Sequence, residues 1–280
     1  MTDVVRAELL ATRKRPGTWI IGGAWVVLAV VFGMLVPYLV WLSLHGKPSS
    51  GTDTEKLLTG VLPAQFVANS VALYPLFGSA LMLIFGAVLM GGDYRWGTLG
   101  TLLGQRPGRV GLVLGKAAAI AMALLGVTVA VEVAAAGMSA LIAALAHRPM
   151  HWPGAVTMIE GVGASWLVGG AAASLGVFLA VLFRNTSTAI GVGLIWLLAL
   201  ENLVSGIAGT MPALKAVQRL LIGPSGGSLA TSLGSSTQGD GGLPGVVSVS
   251  SPAVATLVLG CYVVVLLGLS ALIVRRRDHA

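Results

Sequence analysis

The sequence predicts an all-α polytopic membrane protein, and three observations predict it. The 280 residues are 56% hydrophobic and only 10% charged, where an ordinary soluble domain is roughly 25% charged. Mean hydropathy is +0.91. The apolar residues gather into six runs that reach or exceed the roughly 20 residues needed to cross a hydrocarbon core. The expected architecture is a single transmembrane domain over residues 1–280, with six transmembrane helices, an N-terminal amphipathic helix and a short cytoplasmic helix between two spans.

The lead-in, residues 2–17, carries Val4, Val5, Leu9 and Leu10 on one weakly apolar side and closes with Arg13, Lys14 and Arg15, which suits a helix lying on the membrane surface. It contains two acids and lacks a small-residue cleavage site after a short apolar core, so no cleaved signal peptide is expected. The first span covers 18–44, with Trp19 and Trp41 as interfacial anchors and a kink at Pro37. Residues 45–69 read as a polar loop, and 70–90 as the second span. The third apolar run, 110–146, is too long for one straight crossing. Its first turns, Lys116 included, are expected at the interface, leaving 117–146 as the span. After a turn over His147–Pro153, the fourth span is 154–183. Arg184-Asn185-Thr186-Ser187 connects it to the fifth, 188–208. Residues 209–252 are Gly- and Ser-rich, yet Leu214, Val217, Leu220 and Leu221 keep helical spacing, which predicts a loop with one short amphipathic helix. The sixth span is 253–274.

Six spans put both termini on one side. The segments on that side carry Arg6, Arg13, Lys14, Arg15, Arg95, Arg106, Arg109, Lys116, Arg184 and Arg275 to Arg277, whereas the opposite side has only Lys47, Lys56, Arg148, Lys215 and Arg219. Excess positive charge marks the cytoplasm. Both termini are therefore expected inside and the 209–252 loop outside. This also explains the formal charge of +7: the basic residues are topology signals in short segments rather than a nucleic-acid patch on a polar domain.

Polar chemistry concentrates between the second and third spans, in GGDYRWGTLGTLLGQRPGRVGLVLGK. From Asp93 to Leu103, Tyr94, Trp96, Leu99, Leu102 and Leu103 would line one face of a short helix bracketed by Arg95, Arg106 and Arg109. Three acids fall inside spans. At 1.5 Å per residue, Glu132 is about 24 Å above Lys116, Glu160 about 9 Å in from the outer end of its span, and Glu201 about 20 Å above Thr188. A buried acid is costly unless it is paired or hydrated. Glu132 and Glu201, with the adjacent Asn202, are candidates for a translocation path or gate. Equally, they can be helix-joining polar groups, which is the preferred reading of the shallow Glu160.

Other chemistry fails on spacing. GLVLGK, ending at Lys116, has Val110 where a phosphate-binding loop needs Gly and Ala117 where it needs Ser or Thr. His147 and His151 are interrupted by Pro149 and followed by Pro153, which forbids the helix that would pair them on a metal. The single cysteine, Cys261, excludes an intrachain disulfide. No histidine lies in a span to serve as a base for a membrane serine hydrolase. Gly169, Gly170 and Ser174 read as close helix packing.

The basic lead-in VVRAELLATRKRPGTW, the stretch GDYRWGTLGTLLGQRPGRVGLVLGK and LAVLFRNTSTAIG resemble those of the membrane permease subunits of ABC type-2 exporters. The second stretch is the most specific, with Asp93, Tyr94, Arg95, Gly97, Thr98, Arg109, Gly115 and Lys116 on the family's pattern; Asp93 stands where the family often has Glu. The resemblance implies a six-helix half-transporter that works as a homodimer or heterodimer in a bacterial plasma membrane. It implies two separate cytoplasmic ABC ATPase subunits that bring the ATP and Mg, with no cofactor in this chain. Asp93, Tyr94, Arg95, Trp96, Gly97, Thr98, Leu99, Arg106 and Arg109 would then belong to the coupling helix that docks into the ATPase, and residues 209–252 would help close the outer end. The remaining alternative is an ion- or proton-coupled secondary transporter using Glu132 and Glu201.

Overall fold

Helices account for the six apolar runs, and their pairing follows from where glycine and alanine allow backbones to meet. The computed structural model describes residues 2–45, 52–95 and 109–276. The helices are α1 (Thr2–Lys14), α2 (Pro16–Leu44), α3 (Thr52–Val61), α4 (Phe66–Gly92, its last turn continuing to Arg95), α5 (Arg109–Leu145), α6 (Ala155–Phe183), α7 (Thr186–Ile207), α8 (Pro212–Gln218), α9 (Ile222–Ser232) and α10 (Pro252–Arg276). Of these, α2, α4, α5, α6, α7 and α10 are long and apolar enough to cross a membrane. The chain is thus an all-α polytopic membrane protein, with no strand among the described residues.

The centre is the pair α4 and α6. Their most apolar windows are 67% and 61% buried, against 17% for α7. A Cβ on Gly86 would run into the Ala173 carbonyl, and one on Gly176 into the Leu83 carbonyl and the Ala87 N–H. Backbone meets backbone here because nothing larger than hydrogen stands between. Gly169, flagged in the sequence, faces Met82 and Tyr74 in the same seam, whereas Gly170 looks toward Val263 of α10.

Three spans are interrupted, two of them by proline. Pro37 has no N–H for the Gly33 carbonyl four residues earlier, and α2 widens into a π turn over Val31–Leu35. The side-chain amide of Asn69, from α4, donates to that Gly33 carbonyl instead. In α4, Pro75 deprives Val71 in the same way; the helix breaks after Ala72 and resumes as a π turn over Tyr74–Gly78. In α7 a π turn spans Ile195–Leu200, and the Asn202 amide donates to the Leu197 and Leu198 carbonyls at 3.3 and 3.0 Å.

Several expectations change. The lead-in is not merely surface-lying: α1 packs along α5, burying Glu8 and Thr12. Glu8 reaches Lys116 at 3.7 Å, and Lys116 is buried in that contact. Trp19 is 65% exposed, as an anchor should be, but Trp41 is buried and stacks on Tyr38. Residues 45–69 are not simply a loop, because α3 lies there with Leu58 and Val61 buried. In 209–252 a second helix, α9, follows the expected one.

The two ends of the bundle are tied differently. At one end, Arg15 Nη1 donates to the Leu89 carbonyl at 2.9 Å and Glu8 meets Lys116. At the other, Arg148 bridges Glu55 at 2.9 Å, the Ser139 hydroxyl donates to the Val61 carbonyl at 2.7 Å, and the Ser235 hydroxyl donates to the Ala68 carbonyl at 2.6 Å.

Candidate functional site

The two deep acids have opposite surroundings. Glu201 is 2% exposed and both of its carboxylate oxygens accept N–H donors. Trp196 Nε1 and the Ile222 N–H donate to Oε1 at 3.1 and 3.3 Å, and the Gly223 N–H donates to Oε2 at 2.7 Å. Ile222 and Gly223 open α9, whose first N–H groups have no partner within the helix. Glu201 therefore caps a helix that belongs to another part of the chain, its negative charge set against the positive end of the helix. A Cβ on Gly223 would come within 3.0 Å of Glu201 Oε2 and 3.2 Å of the Pro75 carbonyl, so glycine is what lets α9 come in so close.

The helix it caps reads IGPSGGSLATS, and its composition hid it. Residues 222–230 are buried throughout. Gly226 packs on Val168 and Gly227 on the backbone of residues 245–247, while Pro224 occupies the first turn, where its missing N–H is harmless. Ser228 donates to the Pro224 carbonyl at 2.9 Å and accepts from the Val249 and Ser250 N–H groups at 3.1 and 3.3 Å, pinning the returning loop. Gly and Ser mark a loop when exposed and a close-packed helix when buried. α9 starts six residues below the end of α7, about 9 Å deeper along its axis. A cavity of about 30 Å³, room for about one water, lies beside the cap and is lined by Glu201, Asn202, Gly223 and Gln238 among others.

Glu132 has no such partners. It is 7% exposed, and it faces the hydroxyls of Ser70 on α4 and Ser165 on α6, which are 1% and 0% exposed. The two hydroxyls are the donors that face its carboxylate, and none of the four oxygens reaches another protein partner. Next to the cluster, the Tyr74 hydroxyl donates to Thr128 Oγ1 at 3.5 Å, and the Tyr74 ring meets Trp25 edge-on with centroids 5.2 Å apart. Glu160 is exposed in the N-terminal part of α6.

A second cavity, of about 590 Å³, opens between the C-terminal end of α2, α3, the start of α4 and the 234–243 turn. Pro37, Leu44, Leu57 and Val61 give it an apolar wall, and Lys56, Gln65, Asn69, Ser235, Ser236 and Asp240 give it polar groups. Sequence reading singled out none of these as a site, because they come from three separate segments. The structure brings Glu201 and Asn202 to one cavity and leaves Glu132 away from both cavities.

Of the expected docking residues, Asp93, Tyr94 and Arg95 form the final turn of the helix that ends α4, and Arg109 opens α5. Trp96, Gly97, Thr98, Leu99 and Arg106 lie outside the described residues. Among the described residues no group of three His, Cys, Asp or Glu side chains is placed to hold a metal. Comparison with models of known protein families and with curated proteins gives no match.

Proposed function

We propose that the chain is the membrane permease subunit of an ATP-driven exporter of the ABC type-2 kind. It forms the translocation path as a homodimer or heterodimer and is powered by two separate cytoplasmic ATPase subunits. The observation that carries this reading is that α1 is tied to both helices that flank residues 96–108. That segment joins the inner ends of α4 and α5. Arg15 holds the first through the Leu89 carbonyl, and Glu8 holds the second through Lys116. A force that a soluble partner applies there would reach two spans and α1 together. At the opposite end, α9 capped by Glu201 is the kind of plug an exporter needs to close its outer mouth, with the 590 Å³ cavity beside it.

On this reading the chain hydrolyses nothing itself. GLVLGK departs from a nucleotide loop at both ends, so ATP and Mg belong to the partner. The membrane is a bacterial plasma membrane, with the Arg-rich end of the bundle in the cytoplasm. The test is to purify the chain from its native membrane, expecting an ABC ATPase to come with it in a two-to-two complex whose hydrolysis depends on the permease. If no ATPase associates and transport follows an ion gradient, the ion-coupled reading replaces this one.

A further inference from the structure

The cavity of about 590 Å³ is of ligand size, since small-molecule sites typically enclose about 300–1,000 Å³. It opens where α2 ends and α4 begins, the level at which spanning helices leave the apolar core. Its lining is of two kinds. Pro37 and Leu44 of α2 and Leu57 and Val61 of α3 are apolar, whereas the 234–243 turn contributes Ser235, Ser236 and Asp240. Part of the polar lining is already spent within the fold. The Asn69 amide donates to the Gly33 carbonyl, the Thr59 hydroxyl to the Glu55 carbonyl and the Ser235 hydroxyl to the Ala68 carbonyl. Gln65 and Ser236 present an exposed carboxamide and an exposed hydroxyl. Among the described lining residues Lys56 is the one cation and Asp240 the one acid, so the site as a whole carries no net charge. A ligand with a net charge would leave that charge unbalanced in a partly enclosed space, which is costly.

Glycine supplies a second, independent observation. Four glycines are among the described lining residues, and three have a reason in the backbone. Gly234 and Gly241 have φ of 99° and 83°, and a Cβ on Gly242 would run into the Ser236 carbonyl. Gly60 differs: it lies within α3 without a positive φ, and a Cβ on it would meet nothing within 4 Å. Glycine is the poorest helix former after proline, and neither packing nor conformation calls for it at this position. Its effect is to keep the α3 side of the cavity open, as glycine does where something other than the protein's own side chains comes close to the backbone.

We infer that this cavity binds an amphiphilic molecule of no net charge, with its apolar body along Pro37, Leu44, Leu57 and Val61 and its hydrogen-bonding end at Gln65 and Ser236. The site stands apart from the exporter reading, because its test involves neither an ATPase nor transport. The probe is radiolabelled octyl glucoside below its micelle concentration, added to the purified full-length chain in phosphatidylcholine nanodiscs, with binding to empty discs subtracted. Binding should saturate at one per chain. Octyl sulfate and octyltrimethylammonium, equal in tail but charged, should compete about tenfold or more weakly. Gly60→Leu fills the space, and should unfold no earlier than wild type yet bind about tenfold or more weakly. Mass spectrometry of the chain extracted from its own membrane separates two sources of the same chemistry. A phospholipid of no net charge that is retained at one per chain, and lost in Gly60→Leu, identifies bilayer lipid as the occupant, whereas octyl glucoside binding with no retained lipid identifies a free amphiphile. The site is overturned if neither is found, if either survives unchanged in Gly60→Leu, or if the charged analogues compete as well as octyl glucoside itself. Should Gly60→Leu fail to fold, Gln65→Ala combined with Ser236→Ala, both at exposed positions, decides: occupancy at wild-type strength also overturns it.

Discussion

Glu201 Oε2 accepts the Gly223 N–H at 2.7 Å, so a side chain of the fifth span forms the N-terminal cap of the buried helix α9. Replacing Glu201 by Gln keeps the shape but turns one acceptor into a donor facing N–H groups. At least one of the three donors then loses its partner, at about 1–3 kcal/mol. Glu201→Gln should lower the midpoint of unfolding and, on the exporter reading proposed above, impair transport with it. Wild-type stability in the purified variant would show that the cap contributes nothing.

The Asn69 amide stands in for the N–H that Pro37 lacks, by donating to Gly33. Asn69→Leu should therefore destabilise the wild type by about 1–3 kcal/mol, and by much less in a Pro37→Ala background, where the helix regains its own donor. A double-mutant cycle on unfolding reads the coupling directly. Equal costs in both backgrounds would refute the link.

Gly176→Ala puts a Cβ 2.9 Å from the Ala87 nitrogen and still nearer the Leu83 carbonyl. Backbone cannot step aside as a side-chain end can, so a loss of about 1–3 kcal/mol or more is expected. Gly170→Ala, whose Cβ would lie 3.9 Å from Val263, is the matched control and should be neutral. Equal yields and melting for the two would contradict the seam described between α4 and α6.

The six spans were legible because hydrophobic run length is a property of the sequence. What escaped it depends on tertiary burial. α9 was read as loop, since Gly226 and Gly227 carry no periodic signal until Val168 and residues 245–247 are known to lie against them. Glu132 and Glu201 looked alike as lone acids in apolar helices. Only the folded neighbourhood separates a carboxylate with three N–H donors from one facing two hydroxyls. Asn202, grouped with Glu201 as a gate, bonds back to its own helix.

Orientation is checked by cysteine labelling. Both Ser236, beside the large cavity, and Ser187, in the connection before α7, are exposed. With Cys261 replaced by Ala, Ser236→Cys should react with an impermeant thiol reagent added outside intact cells, and Ser187→Cys only after permeabilisation. The reverse pattern would invert the protein.

For the docking segment, aromatic anchors at the centre of an interface typically contribute about 2 kcal/mol or more, which is roughly thirtyfold in affinity. On the exporter reading proposed above, Tyr94→Ala with Trp96→Ala should leave the chain folded but weaken capture of the proposed ATPase by at least about that factor and uncouple hydrolysis from transport. Normal transport by the double variant would remove the support for docking at this segment.

The glycine seam between α4 and α6 also limits how the protein can change shape. Helices in side-chain contact slide by changing rotamers, but Gly86 against Ala173 and Gly176 against Leu83 are keyed at main-chain distance, and slippage along that seam meets a carbonyl at once. The pair behaves as one stiff beam through the bilayer. Any cycle of opening and closing is then left to the lightly buried helices around it, with α7, the least buried span, as the freest to swing and α9, capped from it by Glu201, carried along as it moves.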